Sequence, residues 1–415
     1  MTKFRKDIQY YKFCLYGFMK NQRFFEPFFI LFLLEKNMSY LQIGSIYTIR
    51  EITRNIFEIP AGFGADILGR RKTMITSFSL YILSFLLYFL APGYLVIIIA
   101  TLFFALGDAF RTGTHKAMIF DYLRLKGWGD QKVHYYGHTR SWSQIGSALS
   151  SLIAAALVFF SHNFETIFLY SGFPYLIGLI LMITYPVYLD GNVEKLNWHS
   201  LKTRFKKVGR EFLISFKNLR MLKAIVNISS YSGYYRAVKD YLQPVIVTLA
   251  LALPLLEKYG NDQRSAVFIG LIYFIVYLLT SAAARNAGKF ADLFPRLSKP
   301  LNITLFSGLL LGVCVGLFYH SGLVILSVAL FVVIYIIENM RRPAGVSFIS
   351  ENLREDILAT ALSAEEQSKT IFSAIIALMM GYMADRIGIG PGLLITSSIM
   401  IVLLPIIWLK NSRKD

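Results

Sequence analysis

Long apolar stretches recur twelve times along this 415-residue chain, at 12–35, 41–65, 73–92, 94–122, 134–160, 165–188, 219–249, 265–290, 301–320, 322–349, 359–384 and 391–410. A segment of about 20 apolar residues is long enough to cross a bilayer. In hydrocarbon, a single segment satisfies all its backbone donors and acceptors only as a helix. The pattern therefore predicts an all-α membrane protein with twelve transmembrane helices. Composition agrees: 55% of residues are hydrophobic and only 16% charged, against about a quarter charged in soluble proteins. Cys14 and Cys314 fall in separate spans, so neither a disulfide framework nor a metal site is expected. Residues Met1 to Lys6 are short and basic, but no small-residue cleavage site follows the first apolar stretch. That stretch is expected to stay as a helix.

Six spans precede a polar, basic stretch at 190–217, which includes Lys202, Arg204, Lys206 and Lys207, and six follow it. The expected organisation is an N-terminal six-helix bundle (1–189), a cytoplasmic basic linker (190–217) and a C-terminal six-helix bundle (218–415). Lys and Arg concentrate beside the termini, after the second span (Arg70, Arg71, Lys72) and in the linker. The opposite side holds Lys36, Lys258, Arg264 and Arg386. Positive charge stays cytoplasmic, so both termini are expected inside a cell (inner) membrane. The net charge of +18 is then a topology signal and an attraction to anionic lipid, with no nucleic-acid partner implied.

Internal repeats join the two halves. Gly62-Phe-Gly-Ala-Asp66-Ile-Leu-Gly69-Arg70-Arg71 has a degraded copy in Gly288-Lys-Phe-Ala-Asp292-Leu-Phe-Pro-Arg296. Gly17, Lys20, Arg23 and Pro27 in the first span answer to Gly233, Arg236, Lys239 and Pro244 in the seventh. Asp108, Arg111 and Asp121 in the fourth answer, at identical spacing, to Glu338, Arg341 and Glu351 in the tenth. Three pairs in one order argue for two homologous, pseudo-symmetric halves. An even number of spans per half makes them parallel repeats.

The Gly62–Arg71 run, with its second copy between the eighth and ninth spans and the central basic loop, resembles the signature of the major facilitator superfamily. The resemblance covers nearly the whole chain. One position departs from it: the residue after Asp66 is usually basic and here is Ile67. The resemblance implies two six-helix bundles that alternate access to a central cavity lined by helices 1, 4, 7 and 10. It implies that Gly62, Asp66, Gly69 and Arg70 act as conformational-switch residues. The glycines would let helices approach closely. Asp66 would meet the positive end of helix 11, and Arg70 would reach Asp121. By symmetry Asp292 would face helix 5 and Arg296 would face Glu351.

Many ionisable residues lie at predicted membrane depth, where an unpaired charge costs several kcal/mol. They are expected to face water or one another. Lys20, Arg23, Arg111, Arg236, Lys239 and Arg341, with Tyr234 and Tyr235, are the candidate substrate-binding set. Arginine suits carboxylate, phosphate or sulfonate, and a cationic excess attracts anions. Glu26, Asp108, His115, Asp240 and Glu338 are the candidates for carrying a coupling proton. His115 keeps three readings: a packed bystander, a coupling group or a ligand. The stripe Glu51, Arg54 and Glu58 reads as internal ion pairing.

The Gly-Pro-Gly-rich antiporter signature and the sugar-porter loop signatures are absent. Arg23-Phe24-Phe25 resembles part of the helix 1 motif of proton-coupled peptide transporters, without its flanking glutamates. No Walker motif and no nucleophile elbow is found, so no enzyme activity and no cofactor is expected. The expected function is secondary active transport of a small organic anion or zwitterion by a monomer, coupled to protons. Export of lipid-like, drug or metal cargo is the alternative, and a membrane sensor or enzyme the remote one.

Overall fold

The structure, a computed structural model, describes residues 6–128, 132–191, 203, 206, 219–352 and 355–409. Among the described residues it is helical with no strand. The N-terminal α-helices are α1 (Ile8–Met19), α2 (Phe29–Glu35), α3 (Tyr40–Leu68), α4 (Arg70–Leu90), α5 (Tyr94–Arg111), α6 (Thr114–Leu125), α7 (Lys132–Ser161) and α8 (Thr166–Ile183). After the linker come α9 (Leu219–Val238), α10 (Leu242–Ala252), α11 (Asn261–Asp292), α12 (Ser298–His320), α13 (Val324–Asn352), α14 (Glu355–Ile387), α15 (Ile389–Val402) and α16 (Leu404–Ile407).

Among the described residues, eight helical stretches are long and apolar enough to cross a membrane. The expected twelve spans divide differently for identifiable reasons. The first is broken between α1 and α2, and the seventh between α9 and α10. The second, α3, carries Arg50, Glu51, Arg54 and Glu58. The last is only 14 residues in α15 before α16 begins.

The two breaks share a cause. Pro27 and Pro244 lack the amide hydrogen that would continue the ladder, and a short 3-10 turn forms at each break, Glu26–Phe28 around Pro27 and Lys239–Tyr241 ahead of Pro244. A tyrosine then satisfies a carbonyl at each break. Tyr175 donates to the Lys20 carbonyl at 2.8 Å, and Tyr335 donates to the Lys239 carbonyl at 2.8 Å. The fourth span breaks at Gly113 (φ +78°), a conformation that glycine adopts at little cost.

By contacts the chain forms two compact units. One comprises residues 1–32, 53–202 and 257–277; the other comprises 33–52, 203–256 and 278–415. Within the first, α1 packs closely on α7. A Cβ at Gly146 would sit 2.8 Å from the Phe18 carbonyl oxygen, so small residues set the spacing. Within the second, Gly233 of α9 lies against Phe372 and the Lys369 carbonyl of α14. The N-terminus of α3 carries a capping box: Ser39 Oγ accepts from the Gln42 amide at 3.2 Å, and Gln42 Oε1 accepts from the Ser39 amide at 3.0 Å. Asp385 adds two acceptors there, for the Tyr40 and Leu41 amides at 2.7 and 2.9 Å. Large apolar side chains such as Leu95, Phe160 and Ile375 stand 60–79% exposed, as lipid-facing residues do.

Candidate functional site

In the first unit, side chains from two helices and one helix break converge on a single carboxylate oxygen. Asp108 Oδ1 accepts from Arg23 Nη2 at 3.0 Å, from Arg111 Nη2 at 3.0 Å, and from the Tyr81 hydroxyl. Asp108 and Arg111 meet because they are one turn apart on α5. Arg23 arrives from the α1 break. Its Nε donates to the Tyr175 hydroxyl at 2.8 Å, and its guanidinium lies 5.1 Å from the Phe104 ring centre. Two guanidiniums against one carboxylate leave a net positive centre held by aromatic walls.

Lys20 caps α1 beside this centre. The charges acting on it are Arg111, Arg23, Asp108 and Arg140, and its ammonium lies 5.7 Å from the Tyr16 ring centre. Lys20 forms no ion pair among the described residues. It lines a cavity of about 270 Å³ together with Tyr16, Asn21, Arg140, Ser143 and His115. The Tyr16 hydroxyl is buried beside Arg111 and makes no hydrogen bond of normal geometry. Tyr16 and His115 stack at 3.5 Å. His115 Nε2 meets the Tyr185 hydroxyl at 3.1 Å, which donates to the Lys12 carbonyl, so Nε2 is the donor. Among the described residues no group of three or more His, Cys, Asp or Glu could hold a metal ion.

The second unit uses its charges differently. Arg236 donates to Glu51 Oε2 at 3.0 Å and to Glu366 Oε1 at 2.7 Å. Lys369 joins Glu365 at 2.8 Å and Glu366 at 2.9 Å. Arg236 is thus held in a chain of alternating charge. Lys239 pairs with the buried Asp240 at 2.9 Å. In the first unit, Glu26 opens its 3-10 turn half-buried.

Arg341 and Tyr234 turn into helix packing, where the sequence pattern would expose them to a solute. Arg341 is 1% exposed. It donates to the Leu301 carbonyl, to Thr304 Oγ1 at 3.0 Å, and to the carbonyl and Oδ1 of Asn227 at 2.8 and 2.6 Å. Tyr234 is fully buried and shares a 2.7 Å hydrogen bond with Ser397. Tyr235 is half-buried and sits edge-on to Tyr335 at 5.2 Å. Glu338 is 7% exposed. Ser232 donates to its Oε1 at 2.8 Å, while its Oε2 is buried without a hydrogen-bond partner.

Of the signature residues, Gly69 (φ +89°) caps α4, and its position lies against Asp190, which accepts the Arg71 amide at 2.8 Å. Arg70 pairs with Asp121, which also pairs with Arg124 at 2.9 Å. Gly62 is exposed with open space where a Cβ would point, so close helix approach is not its role there. Asp66 is half-buried near the end of α3. Asp292 ends α11, and both it and Arg296 are exposed. The expected Arg296–Glu351 pair falls on a Glu351 side chain outside the described residues.

Sequence reasoning missed Tyr16, Tyr81, Tyr175, Ser232 and Asn227. Each comes from a helix remote in sequence from its partner, and nothing in its local pattern separates it from other packed residues.

Residues 13–365 match the sequence model of the Major Facilitator Superfamily. An uncharacterized MFS-type transporter of Bacillus subtilis (strain 168), YxaM, is 25% identical over 231 residues, 55% of this chain and 56% of that protein. The match thus spans about half the length of that relative. Among solved structures, the nucleoside transporter NupG is similar with a TM-score of 0.73 at 14% identity, over 97% of each chain. A peptide transporter POT in complex with sulfate gives 0.73 at 12% identity, over 98% of this chain and 96% of that one. A POT family transporter in complex with 5-aminolevulinic acid gives 0.72 at 15% identity, over 96% and 94%. At such identities the likeness shows the fold alone. The sequence match over most of its length makes this chain a member of the Major Facilitator Superfamily, a family of membrane transporters rather than enzymes.

Proposed function

We propose that this chain is a secondary active transporter of a small organic anion or zwitterion, working by alternating access and coupled to protons. The observation that carries the reading is Lys20: an ammonium without an ion pair among the described residues, lining a cavity next to a centre that already holds more guanidinium than carboxylate. Such a site draws in an anion. Arg23 and Arg111 keep the positive charge in place, and Asp108 keeps the two guanidiniums together. Arg236 and Lys239 are committed to carboxylates in the second unit and serve there as ion pairs that a conformational change can rearrange.

Glu338 is the coupling group this reading favours. Its unmatched Oε2 is better served by a proton than by a second full charge, because a buried polar atom without a partner is costly. Asp108 and Asp240 already face cations, and His115 is hydrogen-bonded and stacked. The sequence halves 1–189 and 218–415 are the moving bodies, with the Gly62–Arg71 run and the Arg70–Asp121 pair acting as a cytoplasmic switch. A monomer in the cell membrane is the working unit, and the charge distribution favours cytoplasmic termini.

The test is flux into liposomes holding the purified protein, with an imposed pH gradient and a panel of labelled small anions, zwitterions and cations. Uptake of an anion or zwitterion that responds to the gradient and falls at least tenfold in Lys20→Met supports the reading. Flux confined to organic cations, or none with any anion, overturns it.

A further inference from the structure

The cavity beside Lys20 constrains its solute by more than charge. Its wall on α7 and at the end of α1 is polar, and Asn21, Ser143 and Ser147 of that wall each already donate one hydrogen bond to a backbone carbonyl. Asn21 Nδ2 donates to the Gly17 carbonyl at 2.7 Å. Ser143 donates to the Thr139 carbonyl at 3.4 Å, and Ser147 to the Ser143 carbonyl at 3.3 Å. Each residue lines the cavity and keeps oxygen lone pairs that accept. Beside this wall of acceptors sit two cations, Lys20 and Arg140, and among the described residues lining the cavity there is no carboxylate.

A solute that supplied only an anionic group would satisfy Lys20 and forgo hydrogen bonds to those acceptors, each worth about 0.5–1.5 kcal/mol net. A solute bearing an ammonium group would meet the acceptors but also two cations and no countercharge. Hydroxyl groups match without either penalty. The volume of about 270 Å³ lies just below the usual range of roughly 300–1,000 Å³ for ligand pockets and suits a small molecule.

We infer that the solute held beside Lys20 is a small hydroxylated acid, its anionic group on the ammonium and its hydroxyls donating to Asn21, Ser143 and Ser147. This assignment rests on the anion reading of the same cavity. Selection of this kind is strong because a site built for hydroxyls rejects an analogue that lacks them.

Four six-carbon probes separate the contributions: gluconate, hexanoate, 6-aminohexanoate and sorbitol, titrated calorimetrically onto the full-length protein in nanodiscs. Gluconate is expected to bind at least tenfold more tightly than hexanoate and 6-aminohexanoate, with sorbitol weaker still. Lys20→Met is expected to remove gluconate binding. Ser143→Ala/Ser147→Ala is expected to bring the gluconate-to-hexanoate ratio toward one, and circular dichroism checks that both variants remain helical. Hexanoate or 6-aminohexanoate binding as tightly as gluconate, with Lys20 still required, overturns this inference and leaves the anion reading standing. Sorbitol binding as well as gluconate, or no acid binding at all, overturns both.

Discussion

Arg341 directs its guanidinium at Asn227, donating to the backbone carbonyl at 2.8 Å and to the side-chain oxygen at 2.6 Å, although its counterpart in the repeat, Arg111, donates to the acid three residues before it. The same acid-to-arginine spacing is therefore used in two ways. On α5 the pair faces a cavity-side cluster. On α13 the arginine stitches α9 and α12 together, and Glu338 is left to Ser232.

Arg341→Ala is expected to destabilise the protein by about 3 kcal/mol or more, because four accepting groups lose a charged donor. Arg111→Ala is expected to cost less, since Arg111 is 22% exposed, and to lower anion flux more than tenfold. Thermal unfolding in detergent alongside liposome flux reads both. An Arg341→Ala protein with wild-type stability and no flux would return that residue to the solute site.

Glu338→Gln keeps the hydrogen bond from Ser232 and removes the ionisable group. Accumulation driven by a pH gradient is expected to fall more than tenfold, while exchange of labelled for unlabelled solute persists. The charged groups facing Glu338 are Lys369 from α14, Arg236 from α9, and Arg341 and Arg342 on its own helix. Retained gradient-driven accumulation would exclude Glu338 as the coupling site.

Glu51 and Arg236 meet at 3.0 Å, with side chains 8% and 20% exposed. Stability measured for Glu51→Gln, Arg236→Gln and the double variant is expected to show a coupling of about 1–3 kcal/mol. Additive effects would mean that the pair contributes nothing specific.

Gly146→Val is expected to destabilise by about 1–3 kcal/mol, because the added atoms press on the Phe18 backbone. On the same helix, Gly137→Ala has open space and is expected to be neutral or stabilising. Equal melting temperatures for the two variants would reject the close α1–α7 contact.

Much of the fold was legible in the chain because lipid imposes a simple rule. Apolar length marks the helices, and proline after a glycine-and-cation pattern stands at two of the three broken spans. The site was legible only in part. Lys20, Arg23, Asp108 and Arg111 stand out as charges where charge is expensive. Tyr81, Tyr175 and Ser232 do not, since a hydroxyl at membrane depth is common and its partner lies on another helix.

The amino-acid order alone determined a helical membrane architecture, its internal repeat and the inventory of ionisable groups within it, because hydrophobic length and spacing are local properties. Which of those groups are matched and which remain available was decided by tertiary structure. Arg23 and Arg111 converge on Asp108, Arg236 is neutralised by Glu51 and Glu366, Arg341 disappears into packing, and Lys20 is left lining a cavity. Those outcomes depend on which faces of distant helices meet, and helical spacing within one segment does not encode that.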